Sequence, residues 1–279
     1  MITAERLRAV AEEAAHRAGA YLHGVFRRDM RAETKRDRHD LVTEHDRAAE
    51  RIITRFLLAE DPSWRVIGEE YGAQGGESDV VWHVDPIDGT SNFAQGLAFF
   101  CVSIGVEVAG RLVAGVILDP IAGTRYSADD RGAFLDGAPL RTPTAQPAGA
   151  ATLITGYPTA RDLDREGRDA LVDFGDLVDA FSSVRRTGSG ALQLAHVAAG
   201  WTDAAFGTQV SSWDVAAGAL IVRRAGGSYR PLWFGEDPVS HGDHCAPGFV
   251  ATAPGAQYPA LDRTIAAVAQ RRSRATVAV

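Results

Sequence analysis

An apolar run, VVWHV at residues 80–84, breaks without a spacer into Asp85-Pro86-Ile87-Asp88-Gly89-Thr90, and Ser91-Asn92 follow in the manner of a helix start. A strand this apolar belongs in the interior, yet its end carries two carboxylates. Charges of one sign cannot be buried side by side unless a cation neutralises them or they open onto a cleft. Carboxylates offer hard oxygen ligands to Mg²⁺, and the unpaired amides of a helix start point toward an anion, so the turn suits a metal and a phosphate bound together. Taken alone, the same string is also what an ordinary polar turn looks like, with Pro86 and Gly89 setting its shape.

Other segments raise the odds. Gly68-Glu69-Glu70 ends a second short apolar strand, and Trp213-Asp214 opens an apolar helix. One of these acids is expected to serve as a helix cap. Four acids at element ends, drawn from distant segments, would repel one another and need bound cations. Thr43 reads as a helix cap, with Asp46 three residues on completing a capping box. Glu70 reads as a solvated neighbour of a ligand.

Helical spacing of Leu7, Val10, Ala14, Ala18, Tyr21, Leu22 and Val25 predicts a long opening helix, and Ala49, Ile52, Ile53, Phe56 and Leu57 mark a second one ending at Asp61-Pro62. Strands are expected at 65–67, 80–84, 99–108 and 112–118, the last two joined at Ala109-Gly110 as a hairpin. The Pro- and Ala-rich stretch 141–151 divides an α+β half (1–141), which carries most of the acids, from an α/β half (152–279). In the second half, strands are expected at 152–155, 182–186, 203–206, 228–230 and 249–252. Helices are expected at 165–180, 191–199, 213–225 and 258–271.

The balance of 29 basic against 36 acidic residues gives a formal charge of −7, which disfavours a polyanionic partner. The basic runs Lys35-Arg36-Asp37-Arg38 and Arg271-Arg272-Ser273-Arg274 read as solvated loops or frayed ends. Cys101 and Cys245 belong to no CxxC pair, which fits a reducing cytoplasm. The N-terminus lacks the apolar core of a signal peptide, and no segment reads as a membrane span. The eight histidines, His39, His45 and His83 among them, show no metal-ligand spacing. His241, Asp243, His244 and Cys245 form a loose group of ligand-type residues in a Gly-rich loop, a pattern found more often in surface loops than in zinc sites.

The acidic blocks carry a resemblance. The chain resembles the inositol monophosphatase family of metal-dependent, lithium-sensitive phosphatases in three blocks: Asp40-Leu41-Val42-Thr43-Glu44-His45-Asp46, Gly68-Glu69-Glu70 leading to Asp85 through Phe93, and Trp213-Asp214-Val215-Ala216-Ala217-Gly218 running to Gly226-Gly227. The Gly188-Ser189-Gly190 turn fits as well. This resemblance implies a layered α/β/α/β/α sandwich and, commonly, a homodimer. It implies that Glu69, Asp85 and the Ile87 carbonyl hold one Mg²⁺, that Asp85, Asp88 and Asp214 hold a second, and that a weaker third ion sits near Glu69. Thr90, bonded to Asp46, would orient the attacking water, with Glu69 also part of the catalytic group. The Gly89 and Thr90 amides would hold the phosphate, and Lys35 would shape the metal site from a loop.

The function so implied is Mg²⁺-dependent hydrolysis of a small phosphate ester in the cytoplasm, with lithium inhibition and with no nucleic acid or membrane as partner. The alternative is a non-catalytic member that binds a protein or RNA complex. A complete ligand set favours the enzyme, and the acidic charge disfavours a nuclease. In inositol-cleaving members a glutamate stands seven residues before the aspartate matching Asp214, where this chain has Gly207. That glycine suggests a roomier substrate pocket, formed with Asp88 and Asp214 and lined by Ser189 and Gln209, with Gln209 reading equally well as a surface loop residue, and it suggests poor use of myo-inositol 1-phosphate.

Overall fold

Alanine and leucine at helical spacing give α1 (Ala4–Val25) a continuous buried face of Leu7, Val10, Ala11, Ala14, Ala15, Ala18 and Leu22. The Thr3 hydroxyl caps its start by accepting from the Arg6 amide at 3.2 Å. The computed structural model describes residues 2–28, 32–34, 41–235 and 242–277. After a small two-stranded pair, β1 (Ala32–Thr34) and β2 (Leu41–Thr43), comes α2 (Glu44–Glu60), opened by the Thr43–Asp46 capping box.

The first sheet has eight strands in the order β10-β9-β8-β7-β6-β5-β3-β4. Its members are β3 (Arg65–Gly68), β4 (Gly72–Gly75), β5 (Val80–Asp88), β6 (Cys101–Val108), β7 (Arg111–Asp119), β8 (Thr124–Asp129), β9 (Gly132–Leu135) and β10 (Ala138–Leu140). All neighbours are antiparallel except β3 and β5. A short helix, α3 (Thr90–Ala94), leaves the end of β5. The β6–β7 hairpin turns at Ala109-Gly110 as expected, whereas β4 and the meander β8–β10 add strands that the apolar pattern did not reveal.

The second sheet runs β12-β11-β13-β15-β14. It is built from β11 (Thr152–Thr155), β12 (Ser183–Arg185), β13 (Ala204–Gly207), β14 (Ser228–Leu232) and β15 (Gly248–Thr252), with β11 parallel to both its neighbours. Between these strands lie α4 (Ala160–Glu166), α5 (Asp169–Ala180), α6 (Gly190–Ala199) and α7 (Ser212–Ala225), and α8 (Pro259–Val277) closes the chain. The single helix expected over 165–180 is instead two, separated at Gly167, where φ is +64°. Helices α1 and α2 cover the outer face of the first sheet, α6 and α7 fill the space between the sheets, and α5 and α8 pack outside the second. This is the layered α/β/α/β/α sandwich.

Glycine decides how close α7 lies to the first sheet. A Cβ on Gly105 of β6 would come 2.5 Å from Ala216 Cβ, and one on Gly115 of β7 would come 2.9 Å from Ala217 Cα. Small residues on both surfaces therefore let the helix sit directly on the strands. That approach carries the start of α7, with Asp214, over the end of β5.

The basic tail is not frayed. Arg272 is 9% exposed and lies against Asp162 and Glu166, whose side chains are 0% and 1% exposed, while Arg271 reaches Glu166 at 2.8 Å. The reading of these arginines as solvated is corrected: acids on α4, about a hundred residues earlier in the chain, hold α8 in place.

Candidate metal centre

Strand pairing brings the acids together. Gly68 of β3 pairs in parallel with Val84 of β5, so Glu69 and Asp85 leave neighbouring strand ends side by side. Asp85 and Asp88 are three residues apart, which on a regular strand puts side chains on opposite faces. The β5–β6 register shifts between them, and that irregularity turns both into one site. Gly89 then takes a φ of +102°, a conformation that favours glycine, and a Cβ there would come 3.0 Å from the Phe99 carbonyl oxygen.

Asp85, Asp88 and Asp214 each place an oxygen within 4.8 Å of the others. Asp85 Oδ1 accepts from the Ile87 amide at 2.9 Å. Asp88 Oδ2 accepts from Ser189 Oγ and the Ala191 amide, both at 2.6 Å, so the start of α6 anchors it. Asp214 caps α7 through Oδ2, which accepts from the Ser211 amide at 2.7 Å. Across the turn, Thr90 Oγ1 donates to Asp46 Oδ1 at 2.8 Å and lies 3.1 Å from the Ile87 carbonyl. Asp46 Oδ2 accepts from the Thr43 amide at 2.7 Å and the Thr43 hydroxyl at 2.6 Å. Half-buried Glu69 stands outside the trio, but its charge acts on all three members and on Asp46.

These carboxyls resist ionisation together. Burial pushes Asp85 well above the ordinary range, and the charges of Glu69, Asp88, Asp214 and Asp46 push the same way. Burial lifts Asp88 to about 6 despite the bonds from Ser189, Ala191 and Gly190. Burial and then repulsion from Asp88 lift Asp214 to about 8. Asp46 is raised by burial, against the bonds from Thr43 and Thr90. None of the largest influences on Asp85 is a positive charge. An all-oxygen donor set this compressed fits a hard divalent cation such as Mg²⁺.

The pH dependence of stability follows. A carboxyl whose pKa rises on folding stabilises the fold while protonated, so metal-free protein gains most below about pH 4 and loses that gain as pH climbs through about 6 and then about 8. Thermal melts in chelator should fall in Tm from about pH 5 to about pH 9, and saturating Mg²⁺ should raise Tm more at the alkaline end. A metal-free Tm that climbs across that window, or equal Mg²⁺ stabilisation at both ends, would contradict the arrangement.

The substrate-side expectations need correction. Ser189 is wholly buried, and its hydroxyl donates to Asp88 and accepts from the Leu192 amide at 3.3 Å, so it positions a carboxylate rather than lining a pocket. Gly207 does not leave room, because a Cβ there would lie 2.6 Å from Cε1 of the buried Phe249. Gln209 is tied down, donating to Thr159 Oγ1 at 2.7 Å and Asp162 Oδ1 at 2.8 Å. Lys35 and His241 lie outside the described residues. Histidines without metal-ligand spacing in the sequence are nonetheless brought together: His83, Glu107 and His244 present ligand atoms within 4.8 Å of one another. The sequence hint was that His83 shares a strand face with Asp85, two residues on.

The structure is a layered α+β fold that gathers three carboxylates, two of them buried, where β5 ends and α7 begins, in a group that could hold a metal ion. The chain belongs to the inositol monophosphatase family, whose model matches residues 3–276. It is 40% identical over 224 residues to a Pseudomonas aeruginosa protein named Nus factor SuhB, covering 78% of this chain and 82% of that one. The structure of the extragenic suppressor protein suhB from Bartonella henselae superposes with a TM-score of 0.77 at 30% identity, over 95% of this chain and 98% of that one. An inositol monophosphatase from Anabaena (Nostoc) gives 0.74 at 28% identity, over 99% and 96%.

The Pseudomonas name overturns the exclusion of nucleic acid as a partner. That exclusion rested on a charge of −7, a sum over the whole chain that does not describe any one surface. Among the described residues no helix is long and apolar enough to cross a membrane.

Proposed function

We propose that this chain is a Mg²⁺-dependent phosphomonoesterase acting on a small phosphorylated metabolite. One observation carries the reading: the Asp85, Asp88 and Asp214 trio stands beside a hydrogen-bonded Thr90–Asp46 pair. Asp85, Asp88 and Asp214, with Glu69 and the Ile87 carbonyl beside them, would hold the cations. Bound Mg²⁺ would supply Lewis acidity toward the phosphate and lower the pKa of water. Thr90 accepts a hydrogen bond from the attacking water and relays its proton to Asp46, whose raised pKa suits a proton acceptor. The water oxygen bonds to phosphorus in line with the ester oxygen, the ester bond breaks, and the leaving alkoxide takes up a proton from solvent water. The Gly89 and Thr90 amides hold the phosphate oxygens.

The test is phosphate release from a panel of inositol, sugar, nucleotide and amino-alcohol phosphates, with Mg²⁺ and with chelator. At least one ester should be cleaved only with Mg²⁺, and no release from any of them would remove the proposal. Myo-inositol 1-phosphate should rank below the best ester, because the hydroxyl-accepting glutamate is missing at Gly207. If it ranks first, the argument from Gly207 is wrong. Gly207→Glu is expected to lose about 1–3 kcal/mol of stability by crowding Phe249, without gaining activity on the inositol ester.

Thr90→Val and Asp46→Asn should each lower kcat while leaving Mg²⁺ affinity nearly unchanged. Because the two act as one relay, the double variant should be no worse than the poorer single one. Losses that multiply would mean the two residues act separately.

A second reading rests on the Nus factor name of the 40% identical relative. A role of the kind that name denotes would not depend on the carboxylates. Asp85→Asn would then lose phosphate release while retaining that role.

A further inference from the structure

Beside the carboxylate centre lies a second cluster of different chemistry. His83 stands on β5 and Glu107 on β6, and His244 comes from a single helical turn (Asp243–Cys245) before β15. His83 and His244 are 3% and 2% exposed, and their rings meet edge to face with centroids 4.7 Å apart. Glu107 Oε2 lies 3.3 Å from His83 Nε2 and 2.8 Å from His244 Nε2.

Two details go beyond a hydrogen-bonded ion pair. No hydrogen bond of acceptable geometry reaches His244 Nε2, despite its burial and the nearness of Glu107, so a ring nitrogen faces the cluster without an aligned partner. The other nitrogen of His83 is already engaged, since Nδ1 lies 2.9 Å from Ser212 Oγ. That bond fixes the ring and leaves Nε2 to face Glu107 and His244. An imidazole oriented through its far nitrogen by a polar partner is the usual arrangement around a bound transition metal.

We propose that His83 Nε2, Glu107 Oε2 and His244 Nε2 form a Zn²⁺ site separate from the carboxylate centre. Two imidazoles and one carboxylate suit a borderline cation and give Mg²⁺ little reason to enter. His244 borders a cleft together with Arg223 and Asp243, and a water from that cleft would supply the fourth ligand. The ion would fasten the 243–245 turn to β5 and β6. Through His83 and Ser212 it would brace the two elements that carry Asp85 and Asp214.

The experiment uses the full chain, stripped with chelator and returned to saturating Mg²⁺, then titrated with Co²⁺ and followed in the visible. One equivalent should produce the intense ligand-field bands of four-coordinate Co²⁺ with nitrogen ligands, and Zn²⁺ should bleach them. Co²⁺ held only by the carboxylates would be six-coordinate and weakly coloured. His244→Gln and Glu107→Gln, checked for native circular dichroism, should each abolish the bands. The proposal is overturned if the wild-type protein shows no intense bands, or if they survive in both variants. The wild-type titration decides the matter even if a variant fails to fold.

Discussion

Asp85→Asn is expected to reduce Mg²⁺-dependent turnover by at least two orders of magnitude. Asp85 is 2% exposed, its carboxylate lies in the fields of four other acids, and its oxygen is within 4.8 Å of oxygens of both Asp88 and Asp214. An amide of the same shape keeps the packing and one hydrogen-bond acceptor but removes the charge that holds cations. Loss of metal charge stabilisation costs several kcal/mol, and each ~1.4 kcal/mol is tenfold in rate. The variant should also be more stable than wild type in chelator, because one source of repulsion is gone. Steady-state kinetics and thermal melts in chelator read both effects. Retention of more than about a tenth of wild-type turnover would mean that Asp85 does not hold the catalytic cation.

Arg272→Ala is expected to destabilise the fold strongly although it lies outside the metal centre. The Arg272 Nε donates to Glu166 Oε1 at 3.0 Å and Nη1 to the Thr208 carbonyl at 2.8 Å, Nη2 reaches Asp162, and the guanidinium lies 4.4 Å from the centre of the Phe234 ring. Truncation leaves two buried acids without that partner, a change that costs about 3–5 kcal/mol when one side of a buried pair is removed. For a chain of this size the loss lowers Tm by on the order of 10 °C. Lysine should rescue only in part, since one ammonium cannot replace a planar fork that spans two carboxylates and a carbonyl. The 208–211 segment that Arg272 holds leads directly into α7, so turnover should fall as well, through misplacement of Asp214. A Tm shift under about 2 °C would show that Arg271 and the remaining bonds suffice.

What the chain disclosed in advance was governed by distance along it. The strand-to-turn passage at Val84 to Thr90 was legible because a buried strand and its two acids are contiguous, and because the capping box joins Thr43 to Asp46 within three residues. Helix α1 was legible because its apolar face repeats over 22 residues. The meander β8–β10 was not, since β8 mixes Arg, Ser and Asp into its run and β9 and β10 are only four and three residues long, too short to show a period. The tail arginines looked solvated because their partners lie on α4. Gly207 suggested space because a glycine has no side chain, but the neighbouring strand contributes Phe249 to fill it. His83, Glu107 and His244 gave no joint pattern: the first two lie diagonally on adjacent strands, two residues out of register, and His244, noted only as part of the loose group at 241–245, arrives from the far half of the chain.

The centre formed by Asp85, Asp88 and Asp214 is the claim on which the functional reading stands, and Mg²⁺ titration of metal-free protein tests it most directly. Initial rates of phosphate release from the best ester should rise from near zero to a plateau as Mg²⁺ is added to wild type. Asp214→Asn should stay near zero across the same range. A wild-type rate that is the same in chelator as in saturating Mg²⁺, or an Asp214→Asn curve that overlays wild type, would contradict it.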